Sequence, residues 1–399
     1  MKKHNTHELG GRLLVTILIL AVYMAGRSLL LYRVDPAAYQ LEELNSDNIM
    51  ISMISGDRYQ YTLFALGIMP YIMSTLVMWI LTAVRSSEAK ARSSPRKTAR
   101  FKFLLMIAIA FAFAVSRAEG LVFKESSLGT ETLKAIAVLE MTIGAVMIHG
   151  MAEQNKEHGI GAQMPIILVN ILDNLVSTVQ KFTWSELYHP LILCFIMSVV
   201  ILVMENIIIR IRVQRVSIHN EYADKSYIAF KLDPIGIMPV MFAVTFLMLL
   251  KLIINFLIFF FTDKNALELF MERLDLTDGT GVIAYLGIIF TLNTLFSFIM
   301  LSPGQMAEHL QKGGDSIVGI YAGKKTKRYL RKRLITLCAF SGIVLCTMMG
   351  VSLGLALEGK ISSELALLPA TAMILTSITC ALCREVKTYW KFDSYSFFL

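Results

Sequence analysis

Residues 64–80 read FALGIMPYIMSTLVMWI, an apolar run that would be an ordinary membrane span but for Gly67 and Pro70 near its start. Proline removes a backbone donor and clashes with the preceding turn. Inside lipid the freed carbonyl must find another partner, so an interrupted span packs against other helices or lines a wet cavity. A kinked structural helix would carry the same residues. The tetrapeptide recurs far along the chain: Pro234 to Ala243 reads PIGIMPVMFA, setting Gly236-Ile237-Met238-Pro239 against Gly67-Ile68-Met69-Pro70. Two similarly broken spans point to a central pathway between two halves.

The rest of the chain supports a membrane setting. It has 399 residues, 55% hydrophobic and only 17% charged, with a mean hydropathy of +0.61. That is too apolar for one soluble core and fits a polytopic membrane protein. Ten spans are expected, at residues 12–31, 61–82, 103–122, 132–151, 164–181, 190–209, 234–256, 281–301, 334–357 and 363–383. An even number puts both termini on one side. Most of the 38 Lys and Arg fall at the termini and in the loops after spans two, four, six and eight. By the positive-inside rule that side is cytoplasmic, in a plasma membrane. Lys2 and Lys3 before an apolar run imitate a signal peptide, but the run is long and is read as an uncleaved first span.

Several stretches carry more than topology. The outward segment 32–60 contains Asn48-Ile-Met-Ile-Ser-Met-Ile-Ser-Gly56, apolar but too short to span, as a re-entrant piece or a surface helix would be. Cytoplasmic loops are expected at 210–233 and 302–333. The first opens on Arg210, Arg212 and Arg215 at a helix end and holds a candidate strand at Ser226 to Phe230. The second opens on Ser302-Pro303, a helix start, breaks at Gly313-Gly314, and closes on Lys324, Lys325, Lys327, Arg328, Arg331, Lys332 and Arg333. It is large enough for a hairpin of its own, and its charge points to a docked partner. All five cysteines lie in spans, as buried free thiols do. Asp173 lies within a span near Asn170 and Asn174, which makes it a functional candidate; a water-lining face is the preferred reading, a helix contact the other.

Catalytic chemistry has no foothold. The seven histidines form no HExxH or HxH pair, and no G-x-S-x-G is present. No enzyme activity, cofactor, metal or nucleic-acid partner is expected. Any energy from nucleotide must come from another protein.

Taken together, the motifs resemble SecY, the channel subunit of the bacterial protein-export translocon, over nearly the whole chain. Arg12-Leu-Leu opens the first span, and FALGIMPYI at 64–72 is similar to the family's most recognisable segment. Glu157-His-Gly-Ile-Gly161 resembles its E-R-G-I-G turn, and Lys231 to Phe242 its seventh span. Ser302-Pro303, Ala307-Glu308, Leu310 to Gly314, Gly319-Ile320, Gly323 and Thr326 follow its eighth-to-ninth loop.

The resemblance implies an all-α polytopic fold of ten transmembrane helices, in two inverted five-helix halves, 1–185 and 186–399, around an hourglass pore. It implies a pore ring of Ile68, Ile72, Leu168, Leu172, Met241 and Leu375, and a plug at 48–56 that includes Asn48, Ile51, Met53, Ile54 and Gly56. A lateral gate between spans two and three and spans seven and eight would include Gly67, Pro70, Ser74, Gly236, Pro239, Phe242 and Ser297. A SecA-type ATPase would dock on Arg210, Arg212, Arg215, Tyr321, Lys324, Lys325, Lys327 and Arg328. Small SecE- and SecG-like membrane subunits, or accessory equivalents, would complete the channel for an unfolded secretory polypeptide. An apolar ring offers ions no substitute for hydration yet yields to a sliding chain.

Departures point to a branch. Tyr321 and Ala322 stand where the family has arginine and proline, the sixth-to-seventh loop is short, and Met24-Ala25-Gly26 replaces an Arg-x-Gly. With the Tyr389-Trp-Lys-Phe392 tail, these resemble the accessory SecY branch of Gram-positive cocci, which exports serine-rich glycosylated adhesins with its own motor. A housekeeping SecY is the alternative within the family. A small-solute secondary transporter also has inverted repeats and broken spans, and Asp173 is the main residue favouring it.

Overall fold

A computed structural model describes residues 8–35, 61–84, 94–124, 129–215, 226–260, 273–274, 276, 278 and 279–396. The elements in chain order are α1 (Glu8–Arg27), α2 (Met69–Val84), α3 (Pro95–Ala118), α4 (Thr130–His158), α5 (Met164–Lys181) and α6 (Trp184–Asn206). β1 (Ile208–Arg215), β2 (Tyr227–Lys231), α7 (Met238–Phe260), α8 (Gly279–Leu301) and α9 (Pro303–Lys312) follow. The chain continues through β3 (Asp315–Ile317), α10 (Lys324–Leu357), α11 (Ser363–Ala366) and α12 (Leu368–Ser396). Ten of these helices carry the expected spans. Six are long and apolar enough to cross a bilayer outright, and α2 and α7 contain shorter apolar stretches, 69–82 and 238–254.

Proline and glycine set the ends of these helices. Pro95, Pro165 and Pro303 each sit in a first turn, where the missing N–H leaves no ladder bond unmade. Ser302, at φ +35, ends α8 and leads directly into α9. Gly313 follows α9, and Gly314 turns the chain at φ +72.

By contacts the chain forms two compact units. The first comprises residues 1–188, 248–262 and 374–399, the second 189–247 and 263–373. In the first, α3 and α4 meet through Ala110, Ala114 and Ala118 on one side and Ala137, Met141 and Ala145 on the other. Small residues allow close approach where lipid supplies no hydrophobic drive for helices to associate.

In the second unit the loops at 210–233 and 302–333 build one body. The sheet order is β2-β1-β3, antiparallel throughout, with Ile211 opposite Ile228 and Val213 opposite Ile317. Its inner face packs Ile211, Phe230 and Ile317 against Ala307 of α9 and Leu330 and Leu337 of α10. Two expectations are corrected here. Arg210, Arg212 and Arg215 lie on a strand, because Ile209, Ile211 and Val213 alternate with Arg210 and Arg212 and two of these apolar residues are buried. Lys324 to Arg333 are helical, forming the first turns of α10. The 302–333 loop does not stand alone, since its strand pairs with β1.

Candidate functional site

The broken span is built by the residues before it. Residues 61–68 are turns, and Gly67 takes φ +53. Its N–H donates to the Phe64 carbonyl at 2.8 Å. The Phe64 ring stacks on Tyr23 at 5.7 Å and 9° and lies so close to Gly26 that a Cβ there would stand 2.0 Å from it. Gly144 of α4 likewise admits the Leu63 carbonyl. Arg117 donates to the Ala65 carbonyl at 3.0 Å, satisfying backbone that no helix completes. Pro70 therefore stands in the first turn of α2 and kinks nothing. The second tetrapeptide repeats this geometry: Gly236 takes φ +74, α7 begins at Met238, and Pro239 is in its first turn.

Ring and gate candidates distribute over both units. Ile68 and Ile72 flank the start of α2 and are buried; Ser74 is buried and donates to the Tyr71 carbonyl at 2.8 Å. Leu168 lines an apolar cavity of about 620 Å³ with Leu9 and with Leu382, Cys383, Val386 and Trp390 of α12. Leu172 is exposed, and Leu375 is partly buried on α12. In the second unit, Met241 is buried, Phe242 meets Phe296 edge-on at 5.1 Å, and Ser297 donates to the Asn293 carbonyl. The plug candidate at 48–56 lies outside the described residues.

The turn into α5 is held from α1. The Arg12 guanidinium donates to the Gly159 carbonyl at 3.2 Å and lies 4.6 Å over the Tyr389 ring. The Thr16 hydroxyl donates to Asn155 and accepts from the Ile160 N–H, while the Asn155 amide donates to the Ile160 and Ala162 carbonyls. Further along α5, Tyr23 donates to Asn170 at 2.8 Å, and the Arg27 guanidinium meets the Asp173 carboxylate at 2.7 Å. Asp173 thus makes a charged contact between helices, the second of the two readings from sequence. Its side chain keeps 44% exposure, whereas Arg27 keeps 7%. For the thiols the expectation is corrected: Cys194 and Cys338 are buried, but Cys383 is exposed.

Among the docking candidates, Arg210 and Arg212 stand on the exposed face of β1, Arg210 lying 4.9 Å over the Tyr227 ring. The backbone of Arg215 pairs with Asp315. Tyr321 is 79% exposed, and its ring carries Lys325 at 5.0 Å. Lys324, Lys325, Lys327 and Arg328 are all exposed in the first turns of α10. That is the positive end of the helix dipole, where cations are disfavoured by about 0.3–1 kcal/mol each.

Sequence reasoning missed one cluster of ionisable residues and one further lysine. Lys102, His149 and Glu153 meet around Tyr71, as described below. Lys251 is 7% exposed within α7. For His149 and Lys251 the available signal was an ionisable residue inside an apolar segment.

Comparison with known proteins bears directly on these motifs. A family model described as SecY matches residues 62–381, from the first broken span into the last helix. The chain belongs to the SecY family. Among similar SecY proteins is the accessory Sec system protein translocase subunit SecY2 of Leuconostoc gelidum subsp. gasicomitatum, 24% identical over 98% of this chain and 97% of that one. The namesake from Streptococcus parasanguinis is 27% identical over 94% and 93%. Two solved structures share the SecY fold at 16% identity. "The structure of a protein conducting channel" aligns at a TM-score of 0.67 over 95% of this chain and 92% of that one. "Sec61 in the Canine ribosome-channel complex from the endoplasmic reticulum" aligns at 0.62 over the same shares.

Proposed function

We propose that this multi-pass protein is the protein-conducting subunit of a Sec-type translocase in the plasma membrane, with both termini cytoplasmic. The observation that carries the reading is the repeated helix start, with a left-handed glycine at 67 and 236 and a first-turn proline at 70 and 239. It sets an apolar side chain, Ile68 or Met241, beside an irregular segment in each unit. Ile68, Ile72, Leu168, Leu172, Met241 and Leu375 form the constriction, gated beside Gly67, Pro70, Ser74, Gly236, Pro239, Phe242 and Ser297. The chain takes no catalytic part. The ion pair to Arg27 removes Asp173 as an argument for a solute transporter.

A SecA-type ATPase docks on the basic body formed by β1 and the start of α10. Four exposed cations kept at the unfavourable end of a helix support this, because folding alone would not retain them. Tyr321, where the family has arginine, replaces a charged fork with an aromatic face, which fits a dedicated motor. We assign the chain to the accessory system that exports serine-rich glycosylated adhesins, working with small membrane subunits. Replacing Ile68, Ile72, Leu168 and Leu172 together by serine tests the channel, since a wetted constriction conducts ions. Planar bilayers should show a steady leak; a conductance equal to that of the unaltered protein would refute the ring.

A further inference from the structure

Tyr71, one residue past the proline of the first broken span, is 6% exposed and sits at a junction of charges from two other helices. Its hydroxyl donates to the Glu153 carboxylate of α4 at 3.2 Å. The Lys102 ammonium of α3 lies 4.0 Å over the Tyr71 ring and 3.9 Å from the same carboxylate. Lys156 meets the other oxygen of Glu153 at 3.2 Å. The His149 imidazole lies between the rings of Tyr71 and Phe103, 5.3 Å from each, with its Nδ1 buried and without a partner. Helix packing does not require this arrangement. Lys102 and Glu153 keep 21% and 34% exposure, and even partial removal of charges from water is costly where an apolar seam of the same volume would hold three helices as well. What a charged junction adds is a single preferred position, because Tyr71 can satisfy Glu153 and Lys102 together only in one register.

That position matters because α2 lacks a helical turn before Met69 to brace its start. Ile72 follows Tyr71 in the chain, and Ile68 stands just before the helix, its carbonyl accepting from the Ile72 N–H at 3.1 Å. We infer that Tyr71, Lys102 and Glu153 form a latch that fastens the start of α2 to α3 and α4, and so position Ile68 and Ile72 in the resting channel. The latch rests on the channel reading for its consequence but not for its geometry. Lys102 and Glu153 are positioning residues that act through Tyr71.

The test uses the full chain in liposomes with three variants: Tyr71→Phe, which removes only the hydroxyl, Glu153→Gln, and the two combined. Loss of one hydrogen bond to a charged acceptor should raise the opened fraction about tenfold. Amide exchange in residues 72–80 should quicken by that factor in each single variant, while the rest of α3 and α4 exchanges as before. General destabilisation would move all three helices. The double variant should be no faster than the quicker single, because both act through one bond. Ion leak should rise in parallel. Ile68→Ser serves as a control for the ring: if it leaks while neither latch variant changes exchange in α2, the latch is wrong and the ring stands. If exchange quickens as expected but Ile68→Ser does not leak, the latch holds and the ring assignment falls. Multiplicative effects in the double variant would also overturn the latch.

Discussion

The same four residues, Gly-Ile-Met-Pro, start a helix in each unit, yet the two starts are fastened differently. The first is held by polar and aromatic contacts on both sides: Phe64 on Tyr23, Arg117 on Ala65, and Tyr71 on Glu153. The second follows Asp233, whose carboxylate is 1% exposed and lies near the Gly236 and Ile235 amides without closing a hydrogen bond of good geometry to either. Burial pushes the Asp233 carboxyl up to about 7; the nearby Glu205 carboxylate adds to this, while the Gly236 and Ile235 amides and Lys231 pull it down. The first start leaves the His149 Nδ1 beside Tyr71 buried without a partner, and the second carries a poorly met acid at its base. A local motif dictates the backbone turn, and its surroundings decide how firmly the turn is held.

The sharpest way to break the first start is at Gly144. A Cβ there would lie 2.1 Å from the Leu63 carbonyl oxygen, which is backbone and cannot swing away. Gly144→Val should cost about 3 kcal/mol or more, read as loss of folded protein in the membrane. A variant that accumulates and melts like the unaltered protein would mean that 61–68 is loosely held.

A smaller and pH-dependent effect belongs to the second start. The folded protein keeps the Asp233 proton to about pH 7, whereas an unfolded chain releases it near 3.8. Its contribution to stability is therefore full below about pH 4 and is lost as pH rises to about 7. Asp233→Asn should remove that slope and stabilise the protein above pH 7 by about 1–3 kcal/mol. Thermal unfolding in detergent at pH 5 and pH 8 measures the difference. A variant less stable at pH 8 would show that the ionised carboxylate caps the Pro234–Gly236 turn.

The smallest effect compares the turns themselves. Both glycines occupy the left-handed region, so Gly67→Ala and Gly236→Ala should each cost about 1 kcal/mol. Near-equal losses would confirm that the two turns are alike as backbone. A much larger loss at Gly67 would mean that its packed surroundings cannot adjust.

Much of the fold was legible in the chain because its signals are local. Apolar runs marked the ten helices, Ser302-Pro303 marked the start of α9, and the Tyr227 to Phe230 stretch alternates as a strand should. The basic residues before Leu334 read as loop because their charge masked a helix that begins ten residues earlier. Lys102 and Glu153 went unread since neither is near Tyr71 in sequence, and each alone looks like an interfacial charge.

Sequence by itself determined the membrane setting, the two spans broken at Gly-Ile-Met-Pro, and membership in the SecY family. Each of these depends on a few neighbouring residues or on overall composition. Tertiary structure alone decided that Asp173 pairs with Arg27 across 146 positions, that strands from two separate loops pair with β1, and that a tyrosine in the first broken span gathers charges from two other helices. A charge carries no record of its partner until the chain closes the loop between them, and in a low-dielectric interior that partner decides whether burying the charge is tolerated.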